Sequence, residues 1–237
     1  MPRRLRLRIA GFPFHVIQRG NNRSPCFHRD RDYERYLEYV RDLGAKHGVA
    51  VHAYVLMTNH VHLLMTPGDE DGVAHVMKGI GQSYAQYANR AYGRTGSRWD
   101  GRFRSCLVDS ETYLLTCYRY IECNPVRAGL VRDPGEYAWS SHRANALGVP
   151  DPVVTPHSCV EELGRAPAER QAAYRKLFCD ELAPAVIAEI RSSTNGGFAL
   201  GSAAFKREMA SRLGRRVERR KSGPRPTLAA DPPKVVV

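Results

Sequence analysis

Apolar positions along this chain change period several times, and each change marks an expected element. Phe14–Arg19 (FHVIQR) reads as a strand, closed by the turn-forming Gly20-Asn21-Asn22. From Asp30 to Gly48 the apolar residues Tyr33, Tyr36, Leu37, Val40 and Leu43 keep helical spacing, and a glycine ends the run. Val49–Met57 and Val61–Pro67 are β-rich, and the short Thr58-Asn59 break between them predicts an antiparallel hairpin. A second helix is expected over Gly72–Tyr92, followed by the basic loop GRTGSRWDGRFRS and a strand over Phe103–Val108. The next helix is expected over Ser110–Cys123, with Ser110 as its N-cap and Pro125 as its stop. The order β-α-β-β-α-β-α predicts an α/β (α+β) sandwich of the ferredoxin-like kind, built on an antiparallel sheet.

After Trp139 the texture changes. Residues 1–145 are expected to form the main domain. Residues 146–158 carry three prolines and read as a linker, and a helical extension over 159–214 follows. Its expected helices are about Ala168–Glu181, Pro184–Ser192 and Ser202–Leu213. The last presents Lys206, Arg207 and Arg212, with Arg215 and Arg216 following, either to DNA or to solvent. Residues 215–237 read as a basic, Pro-rich disordered tail.

Charge sharpens this picture. The formal net charge is +12, with 30 Arg against 6 Lys. Residues 1–8 contribute +4 and residues 201–237 contribute +7, so the body between is near neutral. Two basic ends on a neutral body suit a polyanion, and arginine's planar fork suits phosphate. No apolar run approaches the ~18 residues of a membrane helix, and the N-terminus lacks a signal-peptide core, so a soluble cytoplasmic protein is expected. The six cysteines include no C-x-x-C pair, which argues against zinc ribbons and thioredoxin-like chemistry. Gly79-Ile80-Gly81 lacks the third glycine of a dinucleotide fingerprint.

The candidate chemistry starts at His60-Val61-His62. Strand alternation puts both imidazoles on one face, where they could ligate a metal or stand as ordinary surface histidines. On the helix before Pro125, Tyr113, Cys117, Tyr120 and Asn124 share a face at helical offsets. A phenol there could attack a phosphodiester while an amide oxygen one turn on helps hold a metal. A row of tyrosines could equally be core. Two imidazoles and an amide leave open positions for phosphate oxygens, a set suited to Mg²⁺ or Mn²⁺.

These segments together resemble a known family. His60-Val61-His62, preceded by Tyr54-Val55-Leu56-Met57-Thr58-Asn59, is similar to the HUH motif of single-tyrosine transposases. Trp99-Asp100-Gly101-Arg102-Phe103, the run Tyr120–Leu130 and Arg19-Gly20-Asn21 resemble the REP-associated tyrosine transposase branch. The resemblance covers roughly residues 10–145 and implies a ferredoxin-like HUH-nuclease fold. It implies a divalent metal on His60, His62 and Asn124, and Tyr120 as the residue that forms a 5′-phosphotyrosine with single-stranded DNA, freeing a 3′-OH. The implied partner is hairpin-forming, REP-like DNA; monomer and homodimer both stay open. Glu122 and Cys123 occupy positions where the branch can differ, and Tyr118 stands close enough to compete as nucleophile.

Candidate DNA contacts are Arg3, Arg4, Arg19, Asn21, Arg23, Arg98, Trp99, Arg102 and Arg104. In the basic loop, arginines alternate with aromatics, as a base-stacking track would, although Trp99 and Phe103 could instead pack beneath the sheet. The N-terminal arginines are expected to be disordered without DNA. A non-catalytic hairpin-binding protein is the alternative to a nuclease, and the intact His-His-Tyr-Asn set favours the nuclease. A water-using metal phosphodiesterase is disfavoured by the absence of a carboxylate-rich cluster.

Overall fold

The computed structural model describes residues 4–110 and 113–219. Its strands are β1 (Phe14–Arg19), β2 (Val49–Met57), β3 (His60–Pro67), β4 (Arg104–Val108) and β5 (Ala199–Leu200). Its helices are α1 (Asp30–Lys46), α2 (Gly72–Tyr92), α3 (Leu114–Glu122), α4 (Asn124–Arg127), α5 (His142–Leu147), α6 (Ser158–Glu161), α7 (Pro167–Lys176), α8 (Pro184–Gly196) and α9 (Ala203–Arg212).

The five strands form one sheet in the order β2-β3-β1-β4-β5. Among the first four each strand is antiparallel to its neighbours, in the ferredoxin-like order, and β5 joins the β4 edge in parallel. Side chains alternate along each strand, so each face has its own core. Phe14, Val16, Leu63, Met65 and Leu107 pack with Tyr36, Val40, Val76 and Ile80 of α1 and α2. On the opposite face Val55, Leu64, Cys106 and Val108 pack with Leu114, Cys117 and Ile121 of α3 and Ile190 of α8.

Several boundaries depart from the sequence reading, each for a physical reason. α3 begins at Leu114, capped at Tyr113, because Asp109 is held by β5 through its N–H bond to the Leu200 carbonyl. Ser110 therefore precedes the helix without capping it. Pro125 does not end helical structure. It occupies the first turn of α4, where its missing N–H costs no hydrogen bond.

The stretch 146–158 is not a free linker. Tyr54 Oη donates to Asp151 Oδ2 at 2.7 Å and Thr155 N–H to the Val51 carbonyl at 2.7 Å, while Val153 is buried. His52, the extra residue where the β2–β3 register shifts, bonds to the Thr155 carbonyl and to Thr66 Oγ1, both at 2.8 Å. The extension does more than add helices, since β5 returns it to the main sheet. Order also continues past 214, where Val217 is buried and its carbonyl accepts the Ala199 N–H. The remainder of the expected tail, from residue 220, and Arg3 lie outside the described residues. No helix among the described residues is long and apolar enough to cross a membrane.

Candidate active site

A cleft of ≈ 610 Å³ opens on the sheet face that carries α3 and α8. His15, Ile17 and Arg19 of β1 share this face with His60 and His62 of β3, since Arg19 pairs with His60 and Ile17 with His62. Tyr120 of α3 and Asn124 of α4 close one side, and Arg191, Thr194 and Asn195 of α8 close another. The four residues expected to carry chemistry, His60, His62, Tyr120 and Asn124, thus meet in one place.

The histidine orientations follow from their hydrogen bonds. Asn59 Nδ2 donates to the Arg23 carbonyl, which leaves Asn59 Oδ1 to accept from His60 Nδ1 at 2.7 Å. His60 Nε2 is then the nitrogen with a lone pair. His62 Nδ1 lies 2.8 Å from His15 Nε2, and the two rings stack with centroids 5.0 Å apart. Burial and the nearby Arg19 push the pKa of His60 down to about 4. Burial, reinforced by His15 and His60, lowers that of His62 well below the usual imidazole range. Both rings are neutral at pH 7, the form that ligates metal.

Tyr120 is buried to 5% exposure, with its ring edge-on to His15 and His62 at 5.6 and 5.7 Å between centroids. The Arg127 guanidinium stacks over the Tyr120 ring at 4.5 Å and donates to the Tyr120 carbonyl, one of the orphaned acceptors at the end of α3. Tyr118 points elsewhere. It is fully buried against Tyr174 in the core beneath α3, where burial raises its phenol pKa well above the ordinary value. Among the described residues no group of three His, Cys, Asp or Glu side chains is placed to hold a metal. The expected ligand set is mixed, two imidazoles and the Asn124 amide, and all three side chains line this cleft.

The loop after β1 forms the cleft mouth. Asn22 and Arg23 adopt left-handed conformations, φ 50° and 58°, and both line the cleft. For arginine this conformation costs roughly 1–2 kcal/mol, and such strain concentrates at functional sites. Gly20 permits the turn, because a Cβ there would sit 2.3 Å from the Ser24 carbonyl oxygen. Asn21 is exposed on this turn but does not line the cleft; its N–H bonds to the Arg98 carbonyl.

Two expected DNA contacts are corrected. Trp99 is buried against Tyr36 and Tyr84, with its indole N–H on the Gly81 carbonyl. Arg98 is buried and donates to the Cys26 carbonyl beside His28. Gly20 pairs with Trp99 as an isolated bridge, so these two motifs hold each other and leave no platform for a base. Phe103 is likewise buried, beneath the Arg6 guanidinium at 3.7 Å. Arg4, Arg6, Arg102 and Arg104 instead line an adjoining groove, which shares Arg104, Thr194 and Asn195 with the cleft. Arg4 and Arg6 are thus held in place, Arg4 over Phe198 at 4.7 Å. On the far side of α8 a cavity of ≈ 1150 Å³ shares Arg191 with the cleft. His15, Thr194 and Arg191 carry no sequence signal of their own and enter the site only through tertiary placement, whereas Arg127 lies within the Tyr120–Leu130 run.

The sequence pattern of the IS200-like transposases matches residues 9–124, which hold both cleft histidines, Tyr120 and Asn124. This stretch is an IS200-like transposase domain. The fold agrees with a solved REP-associated tyrosine transposase bound to a REP hairpin: 21% identity, TM-score 0.53, covering 66% of this chain and 93% of that one. A putative transposase from Deinococcus radiodurans R1 aligns at 20% identity and TM-score 0.37, over 51% of this chain and 96% of that one. No curated protein matches the chain. The transposase domain therefore supplies most of the cleft, while α8, beyond it in sequence, supplies one wall.

Proposed function

We propose that this transposase cleaves and rejoins hairpin-forming single-stranded DNA through a 5′-phosphotyrosine on Tyr120. The observation that carries this is the meeting of His60, His62, Tyr120 and Asn124 in one cleft flanked by arginines. Hairpin DNA is the substrate class because the REP-associated transposase of the same fold is bound to one.

His60, His62 and Asn124 would hold a divalent ion such as Mg²⁺ or Mn²⁺, which supplies Lewis-acid polarisation of the scissile phosphate. The phenol is a weak nucleophile at its ordinary pKa, so its placement matters. Arg127 fixes the Tyr120 ring from one face while His15 and His62 bound its edge, leaving the hydroxyl few orientations. Attack forms the Tyr120 Oη–P bond and breaks the P–O3′ bond. The phenol proton is balanced by the one gained by the departing 3′-oxygen. Rejoining reverses both changes. Arg19, Arg23, Arg104 and Arg191 line the cleft and would neutralise phosphates there, and Arg4, Arg6 and Arg102 continue the basic surface along the adjoining groove.

The deciding experiment incubates the full chain with 5′- and 3′-labelled hairpin oligonucleotides and Mn²⁺ or Mg²⁺. A covalent protein–DNA band that retains the 5′-phosphate side and disappears in Tyr120→Phe is expected. Hairpin binding with no adduct under any metal would leave the chain a binding protein.

A further inference from the structure

α8 lies outside the stretch that matches the transposase family, yet Thr194 on it is buried against the histidine cluster. We propose that Thr194, acting through His15, is a positioning residue that sets which nitrogen of His62 is free to bind a metal. The inference rests on His60 and His62 being ligands and adds to that site a control element from the C-terminal extension.

The direction of each hydrogen bond follows from the chemistry of its atoms. The Ile190 carbonyl can only accept, so the Thr194 hydroxyl, 2.8 Å away, spends its single proton there. Thr194 Oγ1 is then an acceptor toward its other neighbours, His15 Nδ1 at 2.9 Å and Cys106 Sγ at 3.2 Å. His15 Nδ1 therefore carries a hydrogen. His15 is 1% exposed, and its two ring partners, Thr194 and His62, carry no negative charge, so the buried ring is neutral and its Nε2 bears a lone pair. His62 Nδ1, 2.8 Å from that lone pair, must donate to it. The lone pair of His62 is thereby confined to Nε2, the one nitrogen of this ring not occupied within the cluster. The chain of four groups runs from β3 through β1 to α8, spanning 47 residues at one link and 179 at the next.

Without the Thr194 hydroxyl, His15 Nδ1–H would be buried with no acceptor. The other His15 tautomer then becomes favourable, and its Nε2–H would point at His62 Nδ1. That reversal moves the His62 hydrogen to Nε2 and blocks the ligand position. Partners of this kind typically control metal affinity by 10–100-fold.

The test uses the full chain labelled with ¹⁵N-histidine, with no metal added, and reads tautomers from ¹⁵N–¹H correlations. Wild type is expected to show His62 protonated on Nδ1. Thr194→Val should move His62 toward Nε2–H and weaken Mn²⁺ binding by calorimetry about 10–100-fold, and Thr194→Ser should restore both. His15→Phe, which keeps a ring but removes the acceptor, should weaken Mn²⁺ binding similarly and gives a second reading if Thr194→Val misfolds. Wild-type His62 protonated on Nε2 overturns the proposal, as does Thr194→Val with unchanged tautomer and Mn²⁺ affinity. Expected tautomers and affinities in a chain that leaves hairpins uncut would support the relay while overturning the nuclease reading.

Discussion

Tyr118 and Tyr120 lie two positions apart on α3, which at 100° per residue turns them about 200° away from each other. The structure gives them opposite surroundings: a sealed core with Tyr174 for one, the histidine cleft and Arg127 for the other. Tyr118→Phe should therefore keep the covalent adduct of wild type and shift stability by no more than about 1 kcal/mol, since only one hydroxyl is removed. Tyr120→Phe should lose the adduct while retaining hairpin affinity, measured by gel shift. The reverse pattern would reassign the nucleophile. His60 and His62 were legible as a pair because strand alternation depends only on local spacing. His15 was not, because a single histidine inside FHVIQR gains meaning only once the register sets β1 beside β3.

At the scale of elements, one buried carboxylate ties α3, the helix that carries Tyr120, to α5 and α7. Glu122, at the end of α3, accepts from Ser141 Oγ at 2.6 Å, Asn145 Nδ2 at 2.9 Å, His142 Nδ1 at 3.0 Å and Tyr174 Oη at 2.9 Å. All four acceptor positions of the carboxylate are used, linking α3 to α5 and α7. Glu122→Ala would strand these donors in a dry interior and should cost about 3–5 kcal/mol, a Tm drop on the order of 10 °C. A drop below 2 °C by calorimetry would argue against the network. A second tie is pH-dependent. Burial pushes the His52 pKa down from 6.5 to about 4, against a smaller upward pull from the Thr155 carbonyl. Between those values the unfolded chain binds more protons, so stability rises with pH through that window and is complete above about pH 6.5. Going from pH 7 to pH 5 should remove about 2 kcal/mol through this one group. His52→Gln should flatten the denaturation midpoint against pH by that amount, and parallel curves for the two proteins would refute it. Neither tie was visible in the sequence. Glu122 stood out only as a possible departure, the prolines of 146–158 suggested a linker, and the two residues of β5 are too few to show a period.

Across the whole molecule the two basic ends meet. Arg215 donates to the Leu5 and Arg6 carbonyls at 2.8 and 3.2 Å, bringing the start of the C-terminal basic run against the N-terminal arginines. Arg4 feels this crowding: burial first, then Arg215 and Arg216, lower its pKa from the usual guanidinium value. Like charges gathered beside a cleft raise the local potential for an anion. The charge asymmetry was plain from counting residues, but their convergence beside the cleft depends on β5 and α9 folding back. The aromatic residues of the basic loop left two readings open for a related reason, since local spacing does not decide between a base-stacking track and the buried neighbours that Trp99 and Phe103 find. If the groove of Arg4, Arg6 and Arg102 tracks the DNA backbone, each phosphate it neutralises contributes about −0.7 to the log–log salt slope for a single strand. The triple variant Arg4→Gln, Arg6→Gln, Arg102→Gln should then bind a hairpin with a single-stranded flank with a slope shallower by about 2. Arg31→Gln, Arg35→Gln, Arg41→Gln removes the same charge from α1, where each arginine already pairs with an acid. That control should keep the wild-type slope in fluorescence anisotropy titrations over a range of KCl. Equal slopes for the two triple variants would mean that net charge attracts the DNA, and that this groove does not carry its backbone.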